Sequence, residues 1–231
     1  MNTDNGLSGP AMIWRLARKD MDLVSWPMLG YLALVVVSAL FMSVEHIVAF
    51  NAGAVMLIST IIVVGAQLIF GLVIGERKEQ TLAYMLSLPV SPKQYSAAKL
   101  LVTVGVYLGA WLIVLFATLV TIQLKDTIPD GLMPFAIIIM QWLFIGYLVV
   151  LGTAILTESE GWTIVSMTIA NVSVSIFIFA IAAIDDIGRH IFDAEPVWNA
   201  AAARLMGLSM IAIILMVLTI GAIQSRKTDF T

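Results

Sequence analysis

Few residues of this 231-residue chain could do chemistry, and they fall in two places. Glu45 and His46 are adjacent and form a candidate acid–base pair. Asp186 and His190 stand four residues apart, a spacing that places two ligands on one helical face, and Asp193 adds a third candidate metal ligand. Both sets fall in segments that read as loops, where hydrated charge is ordinary. With two histidines in all, no carboxylate inside an apolar run and no Ser–His motif, the sequence points away from an enzyme. No catalytic, cofactor-binding or metal-binding residue is assigned. The lack of cysteine excludes disulfides, thiol catalysis and thiolate metal sites. No Gly-Lys dipeptide occurs, so the chain has no Walker A loop of its own.

A second group of polar residues lies inside apolar runs: Gln67, Gln141, and the set Thr168, Asn171 and Ser175, which shares one helical face. Polar groups at membrane depth either line a pathway or hydrogen-bond neighbouring helices. Both roles stay open for these five residues. Gly71/Gly75 and Gly105/Gly109 have the spacing that permits close helix approach.

The elements that must position these residues follow from composition. The chain is 61% hydrophobic, 12% charged and has a mean hydropathy of +1.01. A soluble domain carries about 25% charged residues. Six intervals, 23–44, 46–75, 100–124, 131–157, 161–184 and 205–225, contain no Asp, Glu, Lys or Arg. About 20 helical residues cross a hydrocarbon core of about 30 Å. A charge at the centre of such a helix costs about 2.5–3.5 kcal/mol on the insertion scale, so the absence of charge from all six intervals is informative. The runs are too long and too continuously apolar for barrel strands. The expectation is an all-α integral membrane protein forming one domain, with spans at about 27–44, 52–75, 100–123, 133–156, 162–184 and 205–225.

Placing both termini in the cytoplasm puts nine Lys and Arg inside and leaves Lys125, Arg189 and Arg204 outside, as the positive-inside rule prefers. Residues 1–10 have the composition of a disordered tail. Residues 11–26 predict an amphipathic helix at the membrane interface. Arg15, Arg18, Lys19 and Asp22 lie opposite an apolar arc, Asp20 is the exception, and Trp14 and Trp26 suit the interfacial belt. The external segment 185–204 predicts one or two short helices, capped at Asp185 or Asp186 and interrupted at Pro196. Its Ile191, Phe192 and Trp198 make it a candidate outward gate.

The segment joining the second and third spans, 76–99, is more ordered than a linker needs to be. Glu76 and Glu79 suit a first helical turn, Leu82, Met85 and Leu86 share one face, and Pro89 stops the helix. Ser91 and Pro92 then form a second helix start, leading through Lys99 into the third span. By physics alone the apolar face meets either the inner leaflet or a soluble protein.

The pattern Glu76-Arg77-x-x-x-Thr81-Leu82, followed by Leu86-Ser87-Leu88-Pro89-Val90-Ser91 and Lys99-Leu100, resembles the permeases of ABC type-2 exporters, with Gln80 where many members have glycine. The resemblance implies that 76–88 is a coupling helix, with Glu76, Arg77, Glu79, Thr81, Leu82, Met85, Leu86 and Pro89 contacting an ATPase. It also implies a second permease copy, identical or paralogous, and a prokaryotic inner-membrane location. ATP and Mg would bind the partner ATPase. Membrane lipid is the remaining partner, and none is expected among nucleic acids. The haem-exporter permeases of cytochrome c maturation have a similar plan, but their Asp-Gly-Ser-Leu-Glu run is absent here. An ATPase-independent channel or membrane sensor is the reading from a different class.

Overall fold

A computed structural model describes residues 9–75 and 92–226. Among these the regular structure is all helical, and six of the helices are long and apolar enough to cross a membrane. In chain order they are α1 (Gly9–Met42), α2 (Ile47–Leu68, continued by a π-helical turn over Ile69–Ile74), α3 (Pro92–Leu124), α4 (Leu132–Thr157), α5 (Glu160–Ala182) and, after the single turn α6 (Asp185–Gly188), α7 (Ala200–Arg226). The protein is a multi-pass membrane protein.

One boundary differs from expectation. Residues 11–26, expected as a separate interfacial helix, and the first span form one 34-residue helix that continues through Pro27. At about 1.5 Å per residue it is about 50 Å long, several turns more than the hydrocarbon core. Proline removes one N–H from the ladder but does not end the helix here. The face of α1 defined by Ala17, Asp20 and Val24 is buried, and α1 packs against both α2 and α3. Leu23, Trp14 and Trp26 are exposed. Residues 9 and 10, expected in the tail, belong to α1.

Short links make successive helices antiparallel. Glu158 and Ser159 alone separate α4 from α5: Glu158 is left-handed (φ 55°), and the Ser159 hydroxyl accepts from Trp162 N. α3 begins at Pro92, whose fixed φ suits a first helical position.

α2 and α4 are the central helices. Ile61, Leu68, Leu148, Leu151 and Ala154 are fully or almost fully removed from the surface. α1 packs along α2 and α3, and α4 lies against α5 and α7. The outer faces of α1, α3, α5 and α7 are studded with exposed residues such as Trp26, Phe116, Phe179 and Leu218. In a bilayer such side chains face lipid tails as apolar as they are. Without a hydrophobic drive between helices, close approach depends on small residues. Gly53 supplies one such contact, since a Cβ there would stand 2.5 Å from the Ser38 carbonyl oxygen on α1. The glycines picked out by spacing do not act this way within the chain. A Cβ at Gly71, Gly105 or Gly109 would meet nothing within 4 Å, and at Gly75 it would meet only its own helix at Phe70.

Candidate functional site

The predicted coupling residues Glu76, Arg77, Glu79, Thr81, Leu82, Met85, Leu86 and Pro89 lie outside the described residues. The helices that bracket them are described. α2 enters the segment through its π-helical turn, which ends with Gly75 N–H bonded to the Phe70 carbonyl. Such turns are rare and often mark functional positions.

On the other side, α3 carries Lys99 in its second turn. Its Nζ donates to Asp20 Oδ2 of α1 at 2.9 Å, with each side chain only 7% accessible. A buried charge is costly unless paired, so this contact fixes α1 beside the base of α3. Asp20, the charge that broke the helical-wheel pattern, is therefore the residue that faces inward. Its position on the otherwise apolar face was the available signal.

Above this pair, α3 and α4 are joined by three aromatic donors on successive turns. Tyr147 Oη donates to the Thr103 carbonyl (2.8 Å), Tyr107 Oη to the Leu143 carbonyl (3.4 Å) and Trp111 Nε1 to the Met140 carbonyl (2.6 Å). The rings of Tyr107 and Tyr147 stack with centroids 3.6 Å apart, and Phe144 meets Tyr107 and Trp111 edge-on. Gly65 of α2 lies against this stack, where a Cβ would stand 2.9 Å from the Tyr147 ring and 3.0 Å from that of Tyr107. The pattern analysis did not single out these residues, because tyrosines and tryptophans at helical spacing look like any apolar face until their partner helix is known.

α2 is thus drawn to α1 at Gly53 and to α3 and α4 at Gly65. Three cavities lie along it. The outermost, about 340 Å³, is bordered by Glu45, His46, Thr127, Pro129 and Phe192. The next, about 370 Å³, lies among Asn51, Ala54, Ile58, Thr118, Ala136 and Ile178. The deepest is small, about 40 Å³, and is lined by Gly65, Tyr107, Tyr147, Met167 and Asn171. The first two share Met42, Phe50 and Leu132 and so form one cleft.

No family model, curated protein or solved structure matches this chain. The reading of the site therefore rests on its own geometry and sequence.

Of the five polar residues inside spans, the structure brings Asn171 to a cavity. Gln67 accepts from the Tyr31 hydroxyl, across the α1–α2 contact. Gln141 is buried, and its Oε1 has no hydrogen-bond partner among the described residues. The Thr168 hydroxyl returns to the Ile164 carbonyl of its own helix, and Thr168 and Ser175 are on the exposed face of α5. Gln67, Gln141, Thr168 and Ser175 are not among the residues lining these three cavities.

Of the gate residues, Ile191 is turned inward, Phe192 is exposed at the rim of the outer cavity and Trp198 is exposed. The segment contains the single turn α6 and the start of α7 from Ala200, and the cap is not where it was expected. Ile184 precedes α6 without a side-chain bond, while Asn199 Oδ1 accepts from Ala202 N and Asn199 Nδ2 donates to the Asp186 carbonyl.

The two chemical candidates are engaged elsewhere. His46 caps α2, its Nδ1 accepting from Val48 N at 3.2 Å. Asp186 pairs with Arg189 (3.2 Å), and His190 Nε2 accepts from Arg189 Nε, leaving Nδ1 to donate to Asp193 at 2.6 Å. Among the described residues no three His, Asp or Glu side chains are close enough together to hold a metal ion.

Proposed function

We propose that this chain is the membrane-spanning permease subunit of an ATP-driven ABC exporter, working with a separate ATPase and a second permease copy. The observation that carries the reading is the segment 76–91, an acid-led, proline-stopped pattern placed between the two helices best able to transmit a push. One is α2, which lines all three cavities. The other is α3, which is tied to α1 through Lys99 and Asp20. A displacement of 76–91 by nucleotide-driven closure of the ATPase would move α2 against the Tyr107–Tyr147 stack and carry α1 and α3 together, a rocking motion of packed helices.

The charge asymmetry supports insertion with both termini in the cytoplasm, and a prokaryotic plasma membrane is what the resemblance implies. A second copy would account for the hydroxyls of Thr168 and Ser175 on an exposed apolar face.

Two experiments test this. The full chain, purified from its own host membrane, should bring down a P-loop ATPase, and the pair Glu76→Lys with Leu82→Asp should abolish that recovery. Recovery unchanged by the double variant would sink the coupling assignment. Because the chain lacks cysteine, a single introduced cysteine reports topology cleanly. Glu195→Cys should react with an impermeant thiol reagent from outside the cell and Glu158→Cys only after the membrane is opened; the reverse pattern would invert the orientation.

A further inference from the structure

The two outer cavities form a cleft whose chemistry is graded. Polar groups cluster at the mouth: Glu45, His46 and Thr127. Deeper in, Asn51 and Thr118 are the polar members of an otherwise apolar wall, which ends at Ile139, Met140 and Ile178. Each part falls within the roughly 300–1,000 Å³ expected of a small-molecule pocket.

The cleft has a structural cause. Gly53 lets α2 lie against α1, Gly65 lets it lie against the rings of Tyr107 and Tyr147 on α3 and α4, and the cleft borders α2 over its outer turns, at Phe50, Ala54 and Ile58. Its shape therefore depends on two close contacts that need glycine, one against the α1 backbone at Gly53 and one against the stacked tyrosine rings at Gly65.

We propose that this cleft binds a single-chain cationic amphiphile, its aliphatic chain among Ala54, Ile58 and Ala136 and its head beside Glu45. An apolar chamber within a protein at membrane depth suits an aliphatic chain, and the polar mouth orients it. The charge at the mouth selects the head. The lining contains one carboxylate and no Lys or Arg. Glu45 is exposed and makes no ion pair among the described residues. The imidazole of His46 is held by its capping bond, with Nδ1 as acceptor. A bilayer phospholipid would bring a phosphate for which this lining offers no cation, whereas an ammonium head gains Glu45. The proposal names a substrate class for the exporter, and rests on that reading only for the claim that the bound molecule is transported.

The test uses the full chain in phosphatidylcholine vesicles, without any ATPase. The probe is an alkyltrimethylammonium with a diazirine at mid-chain, and its twin carries a sulfate head. After irradiation, peptide mapping should place the ammonium probe's adducts on 50–58 and 132–140, above those on the exposed α3 face at Leu108, Leu112 and Phe116. Ala54→Trp, which fills the chamber, should reduce cleft adducts by about tenfold or more. Glu45→Gln, an exposed change that leaves the fold intact, should reduce them about two- to fivefold for the ammonium probe, the range of an exposed ion pair, and leave the sulfate twin unaffected. Adducts spread evenly over the cleft and the α3 face would overturn the proposal. So would equal labelling by the two heads, or labelling indifferent to Glu45→Gln. Loss of cleft labelling with ATPase capture intact removes the amphiphile and keeps the permease; the converse removes the permease and keeps the site.

Discussion

Asp20→Leu, Lys99→Met and the two together form a cycle that measures how α1 is held to α3. The wild-type atoms are 2.9 Å apart and both side chains are 7% accessible. Two unit charges at that distance attract by about 6 kcal/mol at an effective dielectric of about 20. Desolvation costs several kcal/mol per ion, so the net worth of the pair is small. Removing one partner is a different matter, because the other charge stays behind at 7% accessibility without this contact, at a cost of up to about 3–5 kcal/mol. Each single change is expected to lower the apparent melting temperature by roughly 6–20 °C for a chain of this size. The double variant leaves neither charge buried and is expected to regain most of the loss. Melting of the full chain in mild detergent, followed by the fluorescence of its six tryptophans, reads all four corners of the cycle. Single variants that melt within about 2 °C of wild type would refute the reasoning, as would losses that simply add in the double variant. Either result would mean that the pair is hydrated and does not hold α1 in place.

Gly65→Ala places a methyl group against the Tyr107 and Tyr147 rings, both held by hydrogen bonds, and should cost about 1–3 kcal/mol by overpacking, read as a lower melting temperature. Gly105→Ala, where a Cβ meets nothing, is the control and should melt like wild type or slightly higher. Tyr147→Phe loses a 2.8 Å bond to Thr103 and should cost about 0.5–1.5 kcal/mol; Tyr107→Phe, whose bond is 3.4 Å, should cost less. Equal losses in the two would contradict the geometry. Asn199→Ala removes the cap of α7 and its tie to Asp186, and should destabilise by about 1 kcal/mol, seen as faster amide exchange over 200–203.

Six charge-free intervals were enough to read six membrane-spanning helices from the sequence, because a charge at bilayer depth is penalised whatever the helix packs against. The start of α3 at Pro92 was legible for a similarly local reason, the fixed φ of proline. Properties that depend on a partner helix were not legible. The change from an amphipathic to an apolar pattern after residue 26 suggested two elements, yet α1 runs unbroken through Pro27. Asp20 was visible as an anomaly but not as half of a buried pair, since Lys99 lies 79 residues away. Glycine spacing pointed to Gly105 and Gly109, which touch nothing in the chain, while the close contacts fall at Gly53 and Gly65. Of the polar residues within spans, the structure set Asn171 beside a cavity and Gln67 against Tyr31. The sequence by itself determined how many times the chain crosses the bilayer, because insertion is decided one segment at a time. Only the tertiary structure decided where the helices leave a cleft beside α2, because that depends on which helix surfaces can touch.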